Sequence, residues 1–546
     1  MILPRLVACT LPAWLVLALA LAAAPPAALA QDPPPDEPGI AEPAPAPAPA
    51  ATDEAEAEVA AEDAVPETVA PQPQARARAV SADGQRLPDP VETRHAIETP
   101  AGELAFVARA GVLTLTADDG REEADIAYTY YRLEGADPDT RPVAFVVNGG
   151  PGAASAYLQL MALGPFVLEF PDGAVIPSRR PDLVENPDTW LAFTDLVFVD
   201  PIGTGFSRLV GPTDRLRERY LSMDGDIAAL AAFVTRFTLR EERLASPRFF
   251  VGESYGGFRG PRLAERLQRE EGMALSGLVL VSPVLDFGFR EGSQASPLPR
   301  MALLPSVAAA AMEKAGGIDR AALAAVEDYA RTEFVVDLLA GLSDEDALSR
   351  IVARVTQITG LPRDLVRAHA GRLDLRTVAR ELYREEGRIA SLYDANVTVP
   401  DPAPGAAFPR VRDPVLDGLT GPLTAGAQRL YREKLGFAPE RPYLVLNGSI
   451  ARAWRYGEGR ASPNSFEALA SAMALDETMR TLVVHGLTDL VTPYFESELI
   501  LRQLPAAIAA RVRLENYPGG HMFYTRAESR RAFTDAARAL FEGSEW

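Results

Sequence analysis

The sequence predicts an α/β protein: a central, mostly parallel sheet flanked by helices, with an inserted helical cap. Three observations carry this. Short apolar runs at 143–147, 196–199, 249–251 and 278–281 are separated by stretches such as 227–237, whose apolar residues recur at helical spacing; strands alternating with helices make a parallel or mixed sheet covered on both faces. Residues from about 290 to 415 break that alternation with alanine- and leucine-rich helical patterns at 302–315, 320–331, 344–359 and 375–386. Between the run ending at Val251 and the helical pattern of 258–268 lies Gly252-Glu253-Ser254-Tyr255-Gly256, a G-x-S-x-G turn of the kind that lifts a serine hydroxyl above the end of a parallel sheet.

Taken in order, residues 1–30 read as a secretory signal. Arg5 supplies the positive start, 11–24 is an almost unbroken apolar run, and Ala28-Leu29-Ala30 offers small residues for cleavage before Gln31. The run is short for a membrane span, so no stable membrane anchor is expected. The mature chain would be periplasmic or secreted. Cys9 is the single cysteine, so removal of the leader leaves no disulfide and no thiolate chemistry. Residues 31–90 are expected to be a disordered linker rich in Pro, Ala and Glu. Residues 31–75 hold eleven acidic residues and no Lys or Arg, and such composition cannot form a core; a tether or partner-binding tail is the alternative. Much of the net charge of −21 belongs to this segment. No sustained basic patch is present, so nucleic acid is not an expected partner.

Residues 91–289 are expected to form the first part of an α/β core. Strands at 104–108, 112–116 and 127–132 come in meander order, with His95 ahead of the sheet. The cap follows over 290–415, and 416–546 completes the core with strands at 481–484 and 511–515 and a last helix over 526–541.

Ser254 needs a base to take its proton and an acid to orient that base. In the α/β-hydrolase fold these follow in the order serine, acid, histidine. The chain has four histidines. His369 falls in the cap, whereas His521, in Tyr517-Pro518-Gly519-Gly520-His521-Met522, follows a strand. Asp489 lies on an earlier strand-end loop, where such folds place their chemistry. His485 shares a loop with Asp489 and remains a rival base. The oxyanion needs two backbone N–H groups: one from Tyr255, the residue after the nucleophile, the other from the glycine loop Asn148-Gly149-Gly150-Pro151-Gly152 after the 143–147 strand. That loop lacks the Gly-Lys-Ser/Thr ending of a phosphate loop. No metal or cofactor is called for.

These segments, with Asp200-Pro201-Ile202-Gly203-Thr204-Gly205-Phe206-Ser207 and Gly520-His521-Met522, resemble in order the signature segments of the serine carboxypeptidases, nearest to bacterial exported members. The resemblance spans about residues 100–545. It implies a catalytic set of Ser254, Asp489 and His521, and an oxyanion hole of the Gly150 and Tyr255 N–H groups. Asn148, Gly149 and Glu253 would meet the substrate, with Asn148 and Glu253 hydrogen-bonding its terminal carboxylate; Glu253 then needs a raised pKa, which favours acidic pH. Peptides are the implied substrates. Val146 stands where better-known members carry Trp, and Ala162 stands where they carry Glu in a Glu-Leu-Gly-Pro setting. An esterase or acyltransferase on the same residues is therefore the second reading, and a non-catalytic envelope protein the third.

Overall fold

The computed structural model describes residues 86–170, 178, 181–290, 295–406, 410–457 and 461–544. The expected signal at 1–30 and the expected linker up to residue 85 lie outside the described residues. Residues 86–90, assigned to that linker, are instead part of the folded region. Leu87 is buried, and Arg86 donates to both carboxylate oxygens of Asp125, from Nε at 2.6 Å and from Nη2 at 2.8 Å.

The strands in chain order are β1 (Val91–Thr99), β2 (Gly102–Thr116), β3 (Glu122–Leu133), β4 (Val143–Val147), β5 (Phe166–Glu169), β6 (Asp182–Glu185), β7 (Asp195–Val199), β8 (Arg208–Leu209), β9 (Arg248–Glu253), β10 (Gly277–Val281), β11 (Arg388–Ala390), β12 (Thr398–Pro400), β13 (Arg480–Gly486) and β14 (Val512–Tyr517). The main sheet has the order β1-β2-β3-β7-β4-β9-β10-β13-β14, with β8 beside β3. The pairs from β7 to β14 are parallel; β1, β2 and β3 form an antiparallel edge. β5 with β6 and β11 with β12 form separate hairpins.

Parallel strands buried on both faces read as continuous apolar runs, and successive side chains point to opposite faces. Accordingly Ala144, Val146, Val251 and Val281 enter one core cluster, while Phe145, Val147, Phe250 and Leu280 enter the other. The two strands expected at 104–108 and 112–116 are one strand, β2. Gly111, in the gap between the two expected strands, is where Tyr128 of β3 crosses: a Cβ there would lie 2.5 Å from the Tyr128 hydroxyl. His95 does not precede the sheet but lies within its edge strand β1, stacked on Phe106.

The inserted block has its own core. Leu303, Val307, Leu323, Ile351, Val352 and Val378 pack together, and Leu487, Leu490 and Tyr494 from beside Asp489 join them. The boundary expected at 415 falls at the start of the helix Pro414–Arg429. Val415, Leu419 and Leu423 of that helix pack into a main-sheet cluster, although the chain re-enters the sheet only at β13. No helix among the described residues is long and apolar enough to cross a membrane.

Candidate active site

β9 ends at Glu253 and the helix Tyr255–Arg266 begins one residue later. Ser254 absorbs the reversal with φ of 59°, a strained conformation for a residue bearing a Cβ. The neighbouring glycines are required by contact. A Cβ on Gly252 would lie 2.1 Å from Gly256 O, and one on Gly256 2.8 Å from Val147 O. Ser254 N donates to Val281 O of β10 at 2.8 Å, which ties the turn to the sheet.

Asp489 follows β13 and His521 follows β14, so both reach the same end of the sheet as Ser254. Asp489 is fully buried and His521 nearly so. His521 Nδ1 lies 2.7 Å from Asp489 Oδ2. The same oxygen accepts from Thr492 Oγ1 at 2.5 Å, and Oδ1 accepts the N–H groups of Val491 (2.8 Å) and Thr492 (3.0 Å). With Nδ1–H given to Asp489, Nε2 is left as the acceptor. Burial disfavours the imidazolium, but the charge and hydrogen bond of Asp489 outweigh it and hold the His521 pKa above its ordinary value. Ser254 and His521 face one cavity of about 130 Å3, shared with Gly149, Gly150, Glu253 and Tyr255. His485, the rival base, is a core residue. Its Nε2 is 2.8 Å from Ser497 Oγ, and burial lowers its pKa to about 4.

The glycine loop lies against the serine turn. A Cβ on Gly149 would sit 2.5 Å from Tyr255 N and 2.9 Å from Ser254 Cβ. Tyr255 is the first residue of its helix, so its N–H has no intrahelical partner. Arg259, one turn on, holds both sides of this junction. Its Nη1 donates to Asn148 O at 2.7 Å, its guanidinium lies over the Tyr255 ring, and it pairs with buried Asp226 at 2.7 Å. The Asp200 segment plays a supporting part: the Asp200 carboxylate accepts from Ser155 N (3.1 Å) and Tyr443 OH (3.0 Å).

Glu253 and Asn148 are buried together. Asn148 Nδ2 donates to Glu253 Oε2 at 2.6 Å, and Tyr524 OH donates to the same oxygen at 2.8 Å. Burial dominates the charge balance and raises the Glu253 pKa from 4.5 to about 7. Val146 and Ala162 are also buried; Ala162 brings no polar group to the cluster.

Several residues about the site escape a sequence reading. Tyr524 and Thr492 each lie three residues beyond a singled-out residue, and that proximity is their only signal. Tyr393 and Asp394, from the insertion, hold the His521 loop: His521 N donates to Tyr393 O at 2.5 Å, and Gly520 N donates to Asp394 Oδ2 at 3.1 Å. Tyr393 and Met522 also form the wall between this cavity and a larger one of about 700 Å3, floored by Leu168, Val184, Val415 and Leu419. Among the described residues, no group of three or more His, Cys, Asp or Glu is placed to hold a metal ion.

The model of the serine carboxypeptidase family matches residues 101–328. That span includes Asn148, Glu253 and Ser254; Asp489 and His521 lie beyond it. Serine carboxypeptidase-like 13 of Arabidopsis thaliana is 26% identical over 217 residues, 39% of this chain and 48% of that protein. The pheromone-processing carboxypeptidase KEX1 of Komagataella phaffii is 35% identical over 146 residues, 27% of this chain and 20% of that protein. The chain thus spans about half or less of the length of these curated relatives. The crystal structure of a prohormone-processing carboxypeptidase from Saccharomyces cerevisiae superposes with a TM-score of 0.50 at 15% identity, covering 81% of this chain and 91% of that one, a likeness of fold. The family match runs from β2 through the serine turn into the inserted helices, and over that stretch the chain is similar to the serine carboxypeptidases.

Proposed function

We propose that this protein is an exported serine-type carboxypeptidase that releases C-terminal residues from peptides through an acyl-enzyme. His521 Nε2 takes the Ser254 proton as Oγ attacks the scissile carbonyl. Asp489 orients the imidazole and stabilises the imidazolium, and the N–H groups of Gly150 and Tyr255 receive the oxyanion. His521 then passes its proton to the leaving amine, and water, activated by the same imidazole, releases the acyl group. The observation that carries this reading is the Asp489–His521 pair opening onto the cavity that holds the strained Ser254.

Glu253 is the proposed reader of the substrate's terminal carboxylate. Two donors occupy its Oε2, so the proton of the neutral acid belongs on Oε1 and is available to a second carboxylate. The larger cavity beyond Tyr393 and Met522, lined by Leu168 and Leu419 but also by Glu169, Asp394 and Arg526, is the proposed place for the departing group. Residues 1–30 are read as the export signal, 31–85 as a linker, and about 290–415 as the cap, which contributes Tyr393 to the catalytic cavity.

A second reading, an esterase or acyltransferase on the same residues, is favoured by Ala162 and Val146, which leave the carboxylate site with fewer polar groups than the family pattern. Blocked dipeptides with free and amidated C-termini separate the two. Preference for the free acid supports the carboxypeptidase; equal rates support the second reading. Ser254→Ala is expected to lower kcat by about 10⁴-fold or more, since such residues act as a unit, and to abolish fluorophosphonate labelling. Near-normal activity in that variant would overturn the assignment.

A further inference from the structure

The catalytic cavity contains a cation that the carboxypeptidase mechanism does not use. Arg290 closes the short helix Phe287–Arg290 and lines the cavity together with Ser254, Glu253 and His521. Its Nη2 donates to Val491 O, two residues past Asp489. Its carboxylate neighbour, Glu496 Oε2, stands 3.8 Å from Nε, too far for a hydrogen bond. Among the described residues, the other guanidinium donors make no hydrogen bond. Burial has pushed Glu496 to about 7, so near neutral pH this partner is only partly charged and the guanidinium is incompletely compensated. Its field reaches the cavity: it opposes protonation of His521 and offsets part of the rise that burial imposes on the Tyr393 pKa. A planar fork of donors in a partly desolvated cavity is suited to bind a carboxylate.

The geometry points to Arg290 as a second carboxylate receptor of the catalytic cavity, selecting substrates that carry a negative charge beside the scissile bond. This rests on Ser254 being the nucleophile of the cavity. The charge has two possible sources, an acidic side chain on the acyl side or the main-chain terminal carboxylate, and both offer Arg290 the same oxygen pair. Because Arg290 also braces the Asp489 loop through Val491, a purely structural role must be separated from recognition.

The test compares wild type, Arg290→Gln and Arg290→Lys on four blocked dipeptides: Glu or Gln before the scissile bond, each with a free or amidated C-terminus. A charged hydrogen bond of this kind is worth about 10- to 100-fold. Arg290→Gln is expected to lose about that factor in kcat/KM, mostly through KM, only on substrates bearing one of the two carboxylates, with Arg290→Lys partly restoring it. Loss confined to the Glu substrates identifies the side chain; loss confined to free termini identifies the main chain. Equal loss on all four substrates, or loss on none, overturns the proposal.

Fluorophosphonate labelling reads the same site without turnover. The protecting ligands are acetyl-glutamate amide, acetyl-glutamine and acetyl-glutamine amide, which carry a side-chain carboxylate, a main-chain carboxylate and neither. A wild-type protein that labels but cleaves no peptide overturns the peptidase reading alone. Arg290 is then judged by protection: a carboxylate-dependent slowing of labelling that is lost in Arg290→Gln supports it, and protection unchanged by the substitution overturns it.

Discussion

Replacing Glu253 with Gln isolates the titration of one buried acid. Burial holds the Glu253 pKa at about 7. Below that pH the neutral acid donates to a substrate carboxylate; above it, two carboxylates face each other in a desolvated cavity. At pH 8 about one tenth of the wild-type enzyme retains the proton, so kcat/KM on free-acid peptides is expected to fall roughly tenfold per pH unit above 7. On the acid side activity falls as His521, whose pKa is raised, becomes protonated. A glutamine can accept from Asn148 and Tyr524 through its oxygen while its amide N–H group meets the substrate, and it does not titrate. Glu253→Gln should therefore keep the acid limb and lose the alkaline one. Stability shifts in the same sense. The folded pKa is above the ordinary 4.5, so the contribution is fully present below 4.5 and is lost as pH rises through 7. Two and a half units correspond to about 3 kcal/mol, a slope the variant should lack in denaturant titrations at pH 5 and pH 8. The assays are pH profiles of kcat/KM on free-acid and amidated peptides. An unchanged alkaline limb in Glu253→Gln, or the same limb with amidated substrates, would refute the reasoning.

Two further outcomes follow from other contacts. Thr492→Val removes the hydroxyl that donates to Asp489 Oδ2 while both backbone donors to Oδ1 remain; kcat should fall about 10- to 100-fold with KM little changed, as steady-state kinetics will show, because a charged hydrogen bond is worth about 1.5–3 kcal/mol. Arg259→Met strands Asp226 in the core without its partner and should cost about 3–5 kcal/mol in chemical denaturation, whereas the double change Asp226→Leu with Arg259→Met should recover most of it.

Much of the fold was legible because its signals are local. A strand covered on both faces must be apolar throughout, which is why β4, β7, β9 and β10 are visible in the sequence. β1 was not, because it alternates exposed polar residues at a sheet edge, and the continuity of β2 through Gly111 depends on its pairing with Tyr128 of β3. The serine turn was legible because Gly252 is demanded by Gly256 O within the same turn, whereas the demand on Gly256 comes from Val147 O of β4, a contact only the fold creates.

The sequence by itself determined the α/β class, the strained turn at Ser254 and the chain order of serine, aspartate and histidine, since steric exclusion and hydrophobic period act over a few residues. Tertiary structure alone decided the electrostatics. Tyr524 reaches Glu253 across 271 residues of chain, Tyr393 of the insertion holds the His521 loop, Arg259 pins Asn148 to Tyr255, and Arg290 is brought into the cavity. Desolvation and charge depend on which groups the fold brings within a few ångströms, and no local pattern encodes that.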